Sequence, residues 1–172
     1  MKCVILISGS GSNLQSIIDN AEEIDLDIQA VISNKQEAYG LKRAQDANIR
    51  THTLNHKQFS TREAFDQQLS QIIDQYNPGI IILAGFMRIL TTGFTQKYSG
   101  KMLNIHPSLL PKFTGLNTHQ RALDAGESEH GVSIHFVTDE LDGGPIIAQS
   151  HVKVLKNDSL SPVAPFRILN IG

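Results

Sequence analysis

Residues 3–7 form an unbroken apolar run, Cys3-Val4-Ile5-Leu6-Ile7, that stops abruptly at Ser8-Gly9-Ser10-Gly11-Ser12-Asn13. A run this short and uniformly apolar suits a strand buried on both faces, as in a parallel sheet covered by helices on both sides. Behind the turn, Leu14, Ile17 and Ile18 recur at helical spacing, so the chain opens strand, glycine-rich turn, helix. The pattern continues. Residues 28–32 read as a second strand, 38–47 as a polar helix and 80–84 as another buried strand. Between them, Ser60 with Glu63 three residues later has the form of a capping box. Phe65, Leu69, Ile72, Ile73 and Tyr76 then mark one face of an amphipathic helix, which Asn77-Pro78-Gly79 stops. Strand alternating with helix predicts an α/β domain with a right-handed, mostly parallel sheet.

The second half changes character. Residues 102–106 read as a further strand leading into a long loop rich in Pro and Gly. Residues 132–137 and 146–154 then follow with little between them, which predicts antiparallel or mixed strands. No repeat or linker divides the 172 residues, so one domain is expected. A net charge of -2 gives no electrostatic reason to expect nucleic acid or an anionic membrane as a partner. Cys3 is the single cysteine and cannot form an internal disulfide, which suits a reducing compartment. No stretch is apolar for long enough to span a bilayer, and the run at 3–7 is shorter than a signal peptide requires. A cytoplasmic protein is expected.

Two segments carry candidate chemistry. The first is the turn itself. Between a strand and a helix, free backbone N–H groups and the helix dipole form a site for an anion such as phosphate, and Gly11, Ser12 and Asn13 stand there. The dinucleotide fingerprint fails, because its third glycine would fall on Leu14 and the second strand ends at Ser33-Asn34 without the expected acid. A purely structural tight turn is the alternative.

The second segment is Asn104-Ile105-His106-Pro107-Ser108-Leu109-Leu110-Pro111. Residues two apart on a strand share a face, so Asn104 and His106 project side by side, stiffened by the prolines that follow. An amide donor beside an imidazole at the carboxyl end of a strand is a candidate oxyanion stabiliser. A histidine satisfied by local hydrogen bonds is the plainer alternative. Asp142 lies in the turn Asp139-Glu140-Leu141-Asp142-Gly143-Gly144-Pro145 and gains a role only if it packs near His106. Asp139 and Glu140 read as a solvated loop.

Taken together these segments resemble one family. The stretch from Asn104 to Gly115, with His119 and Arg121-Ala122-Leu123 behind it, is similar to the central motif of the phosphoribosylglycinamide formyltransferases. Gly131-Val132-Ser133-Ile134-His135-Phe136-Val137-Thr138, continuing through the turn that ends at Pro145, resembles that family's active-site signature. Ser8 to Asn13 is similar to its phosphate loop, and Leu83-Ala84-Gly85-Phe86-Met87-Arg88-Ile89-Leu90 to its folate-contacting segment. The resemblance implies the formyltransferase fold. That fold is three-layered, with a mostly parallel Rossmann-like sheet in a nucleotide-phosphate half (about 1–100) and mixed strands in a folate and catalytic half (about 101–158).

The resemblance also implies an activity, transfer of a formyl group from 10-formyltetrahydrofolate to the amine of glycinamide ribonucleotide, with no metal. It implies a catalytic trio of Asn104, His106 and Asp142 and a phosphate site at Gly11, Ser12 and Asn13. A folate pocket would use Met87, Arg88, Ile89 and Leu90 with Asn104 and the loop ending at Asp142. Arg62 would lie near the folate's acidic tail, with a solvated surface charge as its alternative. His119 and His135 are expected to be structural or to support the site residues from behind, and the protein to be a monomer or weak homodimer. After Asp158 the likeness ends. Residues 159–172, with Pro162 and Pro165, do not suit the amphipathic helix that relatives carry there. A formyltetrahydrofolate hydrolase, or a folate- or nucleotide-binding relative with impaired activity, therefore stands beside the transferase. A tRNA formyltransferase lacks support, since the chain has no basic surplus.

Overall fold

The computed structural model describes residues 1–154, so the expectations for residues 155–172, including the proline-bearing tail, lie outside the described residues. Seven strands form one sheet in the order β3-β2-β1-β4-β5-β6-β7. They are β1 (Lys2–Ile7), β2 (Asp27–Ser33), β3 (Arg50–Thr53), β4 (Ile80–Leu83), β5 (Met102–His106), β6 (Glu129–Phe136) and β7 (Ile146–Lys153). The first five pair in parallel, whereas β6 runs antiparallel to β5 and to β7. This is the α/β architecture that the sequence predicts, parallel first and antiparallel second.

Helices α1 (Ser12–Asn20), α2 (Tyr39–Asp46), α3 (Arg62–Asp74), α4 (Thr92–Lys97) and α5 (Thr118–Asp124) connect the strands. Because side chains alternate along each strand, the buried sheet separates two apolar layers. Val4, Leu6, Ile32, Ile81, Leu83 and Met102 pack with Phe65, Leu69 and Ile73 of α3 and Phe94 of α4. Cys3, Ile5, Ile7, Val31, Ile105 and Val132 pack with Leu14 of α1 and Leu41 and Ala44 of α2. Cys3 belongs to the second layer at 0% exposure, and burial pushes its thiol up to about 12, so it is inert packing.

Several boundaries differ from the sequence reading for local reasons. The cap of α3 is Thr61, whose Oγ1 accepts from Ala64 N at 3.1 Å, and Ser60 lies one residue outside. The helix ends at Asp74, so Tyr76 packs from beyond it, before Asn77 turns the chain with φ 42°. Strand β3 and helices α4 and α5 carry no apolar periodicity long enough to announce them. β3 is a short polar edge strand, Arg50-Thr51-His52-Thr53, that depends on pairing with β2.

The order 3-2-1-4-5 matters for function. From β1 the chain winds outward through β2 and β3, then returns to β4 on the opposite side of β1. The loops leaving β1 and β4 therefore diverge and open a crevice at the carboxyl edge of the sheet.

Beyond β5 the chain is pinned by polar contacts as well as apolar ones. Ser133 of β6, fully buried, accepts from Leu110 N (3.0 Å) and from Gln149 Nε2 (2.8 Å) and donates to Ser108 O (2.7 Å). Helix α5 docks on β6 through His119 Nδ1 and His130 Nε2, 2.9 Å apart, a bond that needs at least one neutral ring. Burial lowers the pKa of both, and the two rings oppose each other's charge at His130. His135 and His52 are also lowered, chiefly by burial.

Two outcomes are expected. Ser133→Ala leaves a buried backbone N–H at Leu110 without its acceptor, and chemical denaturation should show a loss of about 1–3 kcal/mol. A histidine whose folded pKa is depressed contributes stability above its ordinary value of 6.5, lost as pH falls toward the folded value. The thermal midpoint should therefore drop on acidification from pH 7.5 to 5.5, and a flat profile would contradict the burial of these rings as neutral species.

Candidate active site

Each predicted site segment lies at or just beyond the carboxyl end of a strand. The turn after β1 enters α1 through Gly11, which holds φ 71° as the helix N-cap and caps it with no side chain. The first-turn N–H groups, including those of Ser12 and Asn13, are thus left without a side-chain acceptor, and Ser12 is exposed. Gly11 is required for a second reason. A Cβ there would sit 2.5 Å from Gly40 Cα, because the start of α2 leans directly on the turn. Gly40 N donates to Gly9 O at 3.0 Å, and Arg43 Nε donates to Ser10 O at 2.9 Å. The turn is therefore braced from behind with its helix terminus open, an arrangement that favours an anion.

The second group forms where β5 meets β6. Asn104 pairs across the strands with His135, and His106 with Ser133, so Asn104, His106 and His135 project from the same face. His135 Nδ1 lies 2.9 Å from Phe136 O, and a carbonyl can only accept, so Nδ1 carries the proton. Burial, the main cause of its lowered pKa, keeps the ring neutral. Nε2 is then a lone pair that accepts from Asn104 Nδ2 at 3.1 Å. This bond orients the Asn104 amide and leaves its second N–H free to donate.

His106 is held by the same logic. Nε2 donates to Phe113 O at 2.9 Å, while Nδ1 faces Asp142 Oδ1 at 3.5 Å. That separation exceeds a good hydrogen bond, so Nδ1 is only loosely engaged. Asp142 arrives on the turn between β6 and β7 with φ 53°. Its Oδ2 accepts from Gly115 N at 2.8 Å, and its Oδ1 lies 3.8 Å from His135 Nε2. The condition set for Asp142 is met: the carboxylate packs against both imidazoles with its side chain 7% exposed. The Gly143-Gly144 pair serves backbone packing, since a Cβ on Gly144 would fall 1.9 Å from Phe136 O.

Asn104, His135 and Asp142 also line a cleft of about 120 Å³ whose walls include Leu83, Phe86, Ile89, Leu90, Val137 and Leu141. The rest of the lining is polar and includes Arg88, Thr138, Asp139 and Glu140, and apolar walls combined with hydrogen-bonding groups suit a flat heteroaromatic ring. Ile89, Leu90 and Asp139 continue into an outer groove of about 620 Å³ between α3 and α4, which Arg62 also lines. Arg88 lines the inner cleft and lays its guanidinium over the Phe65 ring at 4.7 Å. Met87 lines neither space and stands exposed. The segment 87–90 is tied down at its far end by Asp66 of α3, which is buried and accepts from Thr91 N at 2.7 Å. Among the described residues no group of three or more His, Cys, Asp or Glu side chains is placed to hold a metal ion.

Sequence reasoning did not find every participant. His135, expected to be structural or to support the site residues from behind, orients Asn104 directly. Its position two residues from Ser133 on a strand gave a face but not a partner. Phe113 O, Gly115 N and Asp66 act through backbone atoms or toward them, and no residue pattern reports such contacts. His119 is placed as expected, packing α5 on β6.

Comparison with known proteins gives one answer. The formyl transferase family matches residues 1–165. The phosphoribosylglycinamide formyltransferase of Escherichia coli (strain K12) is 56% identical over 161 residues, 92% of this chain and 76% of that protein. The trifunctional purine biosynthetic protein adenosine-3 of Homo sapiens is 44% identical over 95% of this chain and 16% of its own length. Among solved structures, the phosphoribosylglycinamide formyltransferase of Coxiella burnetii superposes with a TM-score of 0.88 at 55% identity, covering 92% of this chain and 75% of that one. The glycinamide ribonucleotide transformylase 1 of Symbiobacterium toebii gives 0.89 at 39% identity, covering 92% and 76%. This chain belongs to the formyl transferase family, and within it to the phosphoribosylglycinamide formyltransferases.

Proposed function

We propose that this chain transfers a formyl group from 10-formyltetrahydrofolate to the amine of glycinamide ribonucleotide, a step of de novo purine synthesis. One observation carries the reading: an oriented amide donor, an imidazole and a buried carboxylate meet between a braced anion-binding turn and a cleft with both apolar and polar walls. The turn at Gly11, Ser12 and Asn13 holds the ribonucleotide phosphate. The inner cleft takes the pterin against Ile89, Leu90 and Arg88, and Arg62 meets the acidic tail in the outer groove. The co-substrate supplies a one-carbon group already activated on nitrogen. The phosphate turn favours this acceptor over water, since a hydrolase has no phosphorylated acceptor to hold. A cytoplasmic setting and a monomeric or weakly dimeric state complete the proposal.

The residues divide the work by their geometry. As the amine forms its bond to the formyl carbon, charge gathers on the formyl oxygen. Asn104, fixed by His135, donates its remaining N–H there. His106 is anchored through Nε2, and its Nδ1 joins as a second donor only in the imidazolium form. One proton must leave the amine and one must reach the departing nitrogen. Asp142 Oδ1 is the acceptor that relays it, directly or through water, while Gly115 N holds the other oxygen.

Formyl transfer followed spectrophotometrically, with and without glycinamide ribonucleotide, tests the reaction. Acceptor-dependent product supports it, and release of tetrahydrofolate without acceptor overturns it in favour of hydrolysis. Asn104→Ala should lower kcat about 100-fold or more with little change in KM. Asp142→Asn should lower kcat by a similar or larger factor, and near-full activity would remove the carboxylate from the proton path. Gly11→Ala combines a clash with a strained φ at a cost of about 1–3 kcal/mol. It should raise KM for the ribonucleotide while leaving that for the folate near wild type.

A further inference from the structure

The two substrate sites grow from different loops, one following β1 and one following β4, on either side of the switch-point crevice. The last ladder bond between these strands runs from Ala84 N to Leu6 O at 2.9 Å. Past it the backbones part. A single side chain continues the connection: Met87 N donates to Ser8 Oγ at 2.8 Å, and Ser8 Oγ donates to Asn34 Oδ1 at 2.5 Å. Asn34 directly follows β2, so the Ser8 hydroxyl joins the ends of three adjacent strands, β2, β1 and β4. Ser8 and Asn34 are 3% and 2% exposed, so water does not readily replace either bond. Asn34 is supported in turn by His56, whose Nδ1 lies 3.3 Å from Asn34 Nδ2 and 3.1 Å from Asn34 O.

Ser8 is also the residue from which the anion-binding turn departs, and Met87 directly precedes Arg88, Ile89 and Leu90, which wall the cleft. The hydroxyl thus sets the spacing between the two. Resting on the functional reading above, we propose that Ser8 is a positioning residue shared by both substrate sites, holding the phosphate turn and the folate segment in one register. It touches neither substrate. Asp66 holds only the far end of the segment at Thr91, so Ser8 is the direct side-chain bridge from the segment to the turn.

Steady-state kinetics on the full chain test this with three variants. Ser8→Ala removes both bonds, Ser8→Thr keeps the oxygen, and Ser33→Ala removes an equally buried hydroxyl that bonds only locally, to Lys35 N and O. KM for glycinamide ribonucleotide and for 10-formyltetrahydrofolate should both rise about 5- to 10-fold in Ser8→Ala, the scale of one net hydrogen bond. Ser8→Thr should recover much of the loss, and Ser33→Ala should move neither KM. A rise in one KM alone, or equal rises in Ser33→Ala, would overturn the proposal. Amide hydrogen exchange on the wild-type chain gives a reading that does not depend on any variant folding. Glycinamide ribonucleotide added alone should slow exchange at Met87, although that residue belongs to the folate side. Unchanged exchange at Met87 under saturating ribonucleotide would overturn the proposal. Loss of acceptor-dependent turnover in the wild type, by contrast, counts against the functional reading and is scored separately.

Discussion

Parallel pairing of β1 with β2 on one side and β4 on the other is the constraint from which the rest of the site follows. From Cys3 to Ile7, β1 is buried on both faces and carries no polar group. All chemistry is therefore displaced to the strand's carboxyl end, where the backbone emerges and polar atoms find partners. Because the chain reverses its winding direction at this strand, the neighbouring loops separate there and leave room for ligands. β4 repeats the same logic with a shorter apolar run, whereas β5 carries Asn104 and His106 within the strand itself. Phosphate turn, folate segment and the Asn104–His106 pair are thus three products of one topological choice.

The cluster of Asn104, His106, His135 and Asp142 shows how buried polar groups are made directional. Neither imidazole is positioned by its own strand alone. Each donates one ring N–H to a backbone carbonyl, Phe136 O for His135 and Phe113 O for His106, which settles what the other nitrogen can do. The His135 lone pair then selects the Asn104 rotamer, and Asp142 sits between the two rings. Such a network acts as a unit. Losing one member leaves another with an unsatisfied buried atom, a larger cost than the bond itself.

Much of this was legible in the sequence, for physical reasons that differ between halves. The apolar runs at 3–7, 28–32 and 80–84 and the face of α3 announce themselves because burial on both sides leaves a period that composition can show. Asn104 and His106 could be placed on one face by strand alternation alone. Their joining to Asp142 could not, because it depends on two antiparallel strands and a turn whose register no local pattern records. From sequence, only the resemblance to a known family links them. β3 and α5 escaped for the opposite reason: each is short, and each is held by neighbours instead of by its own periodicity.

The backbone at Asp142 narrows what evolution can do with the site. At φ 53° only glycine, asparagine and aspartate sit with ease. Of these, glycine and asparagine carry no charge, and glutamate, the other carboxylate, is disfavoured by the same torsion and reaches one carbon too far. A substitution that the loop tolerates removes the carboxylate, and one that keeps a carboxylate strains the loop. Backbone conformation and side-chain charge thus select the same residue here.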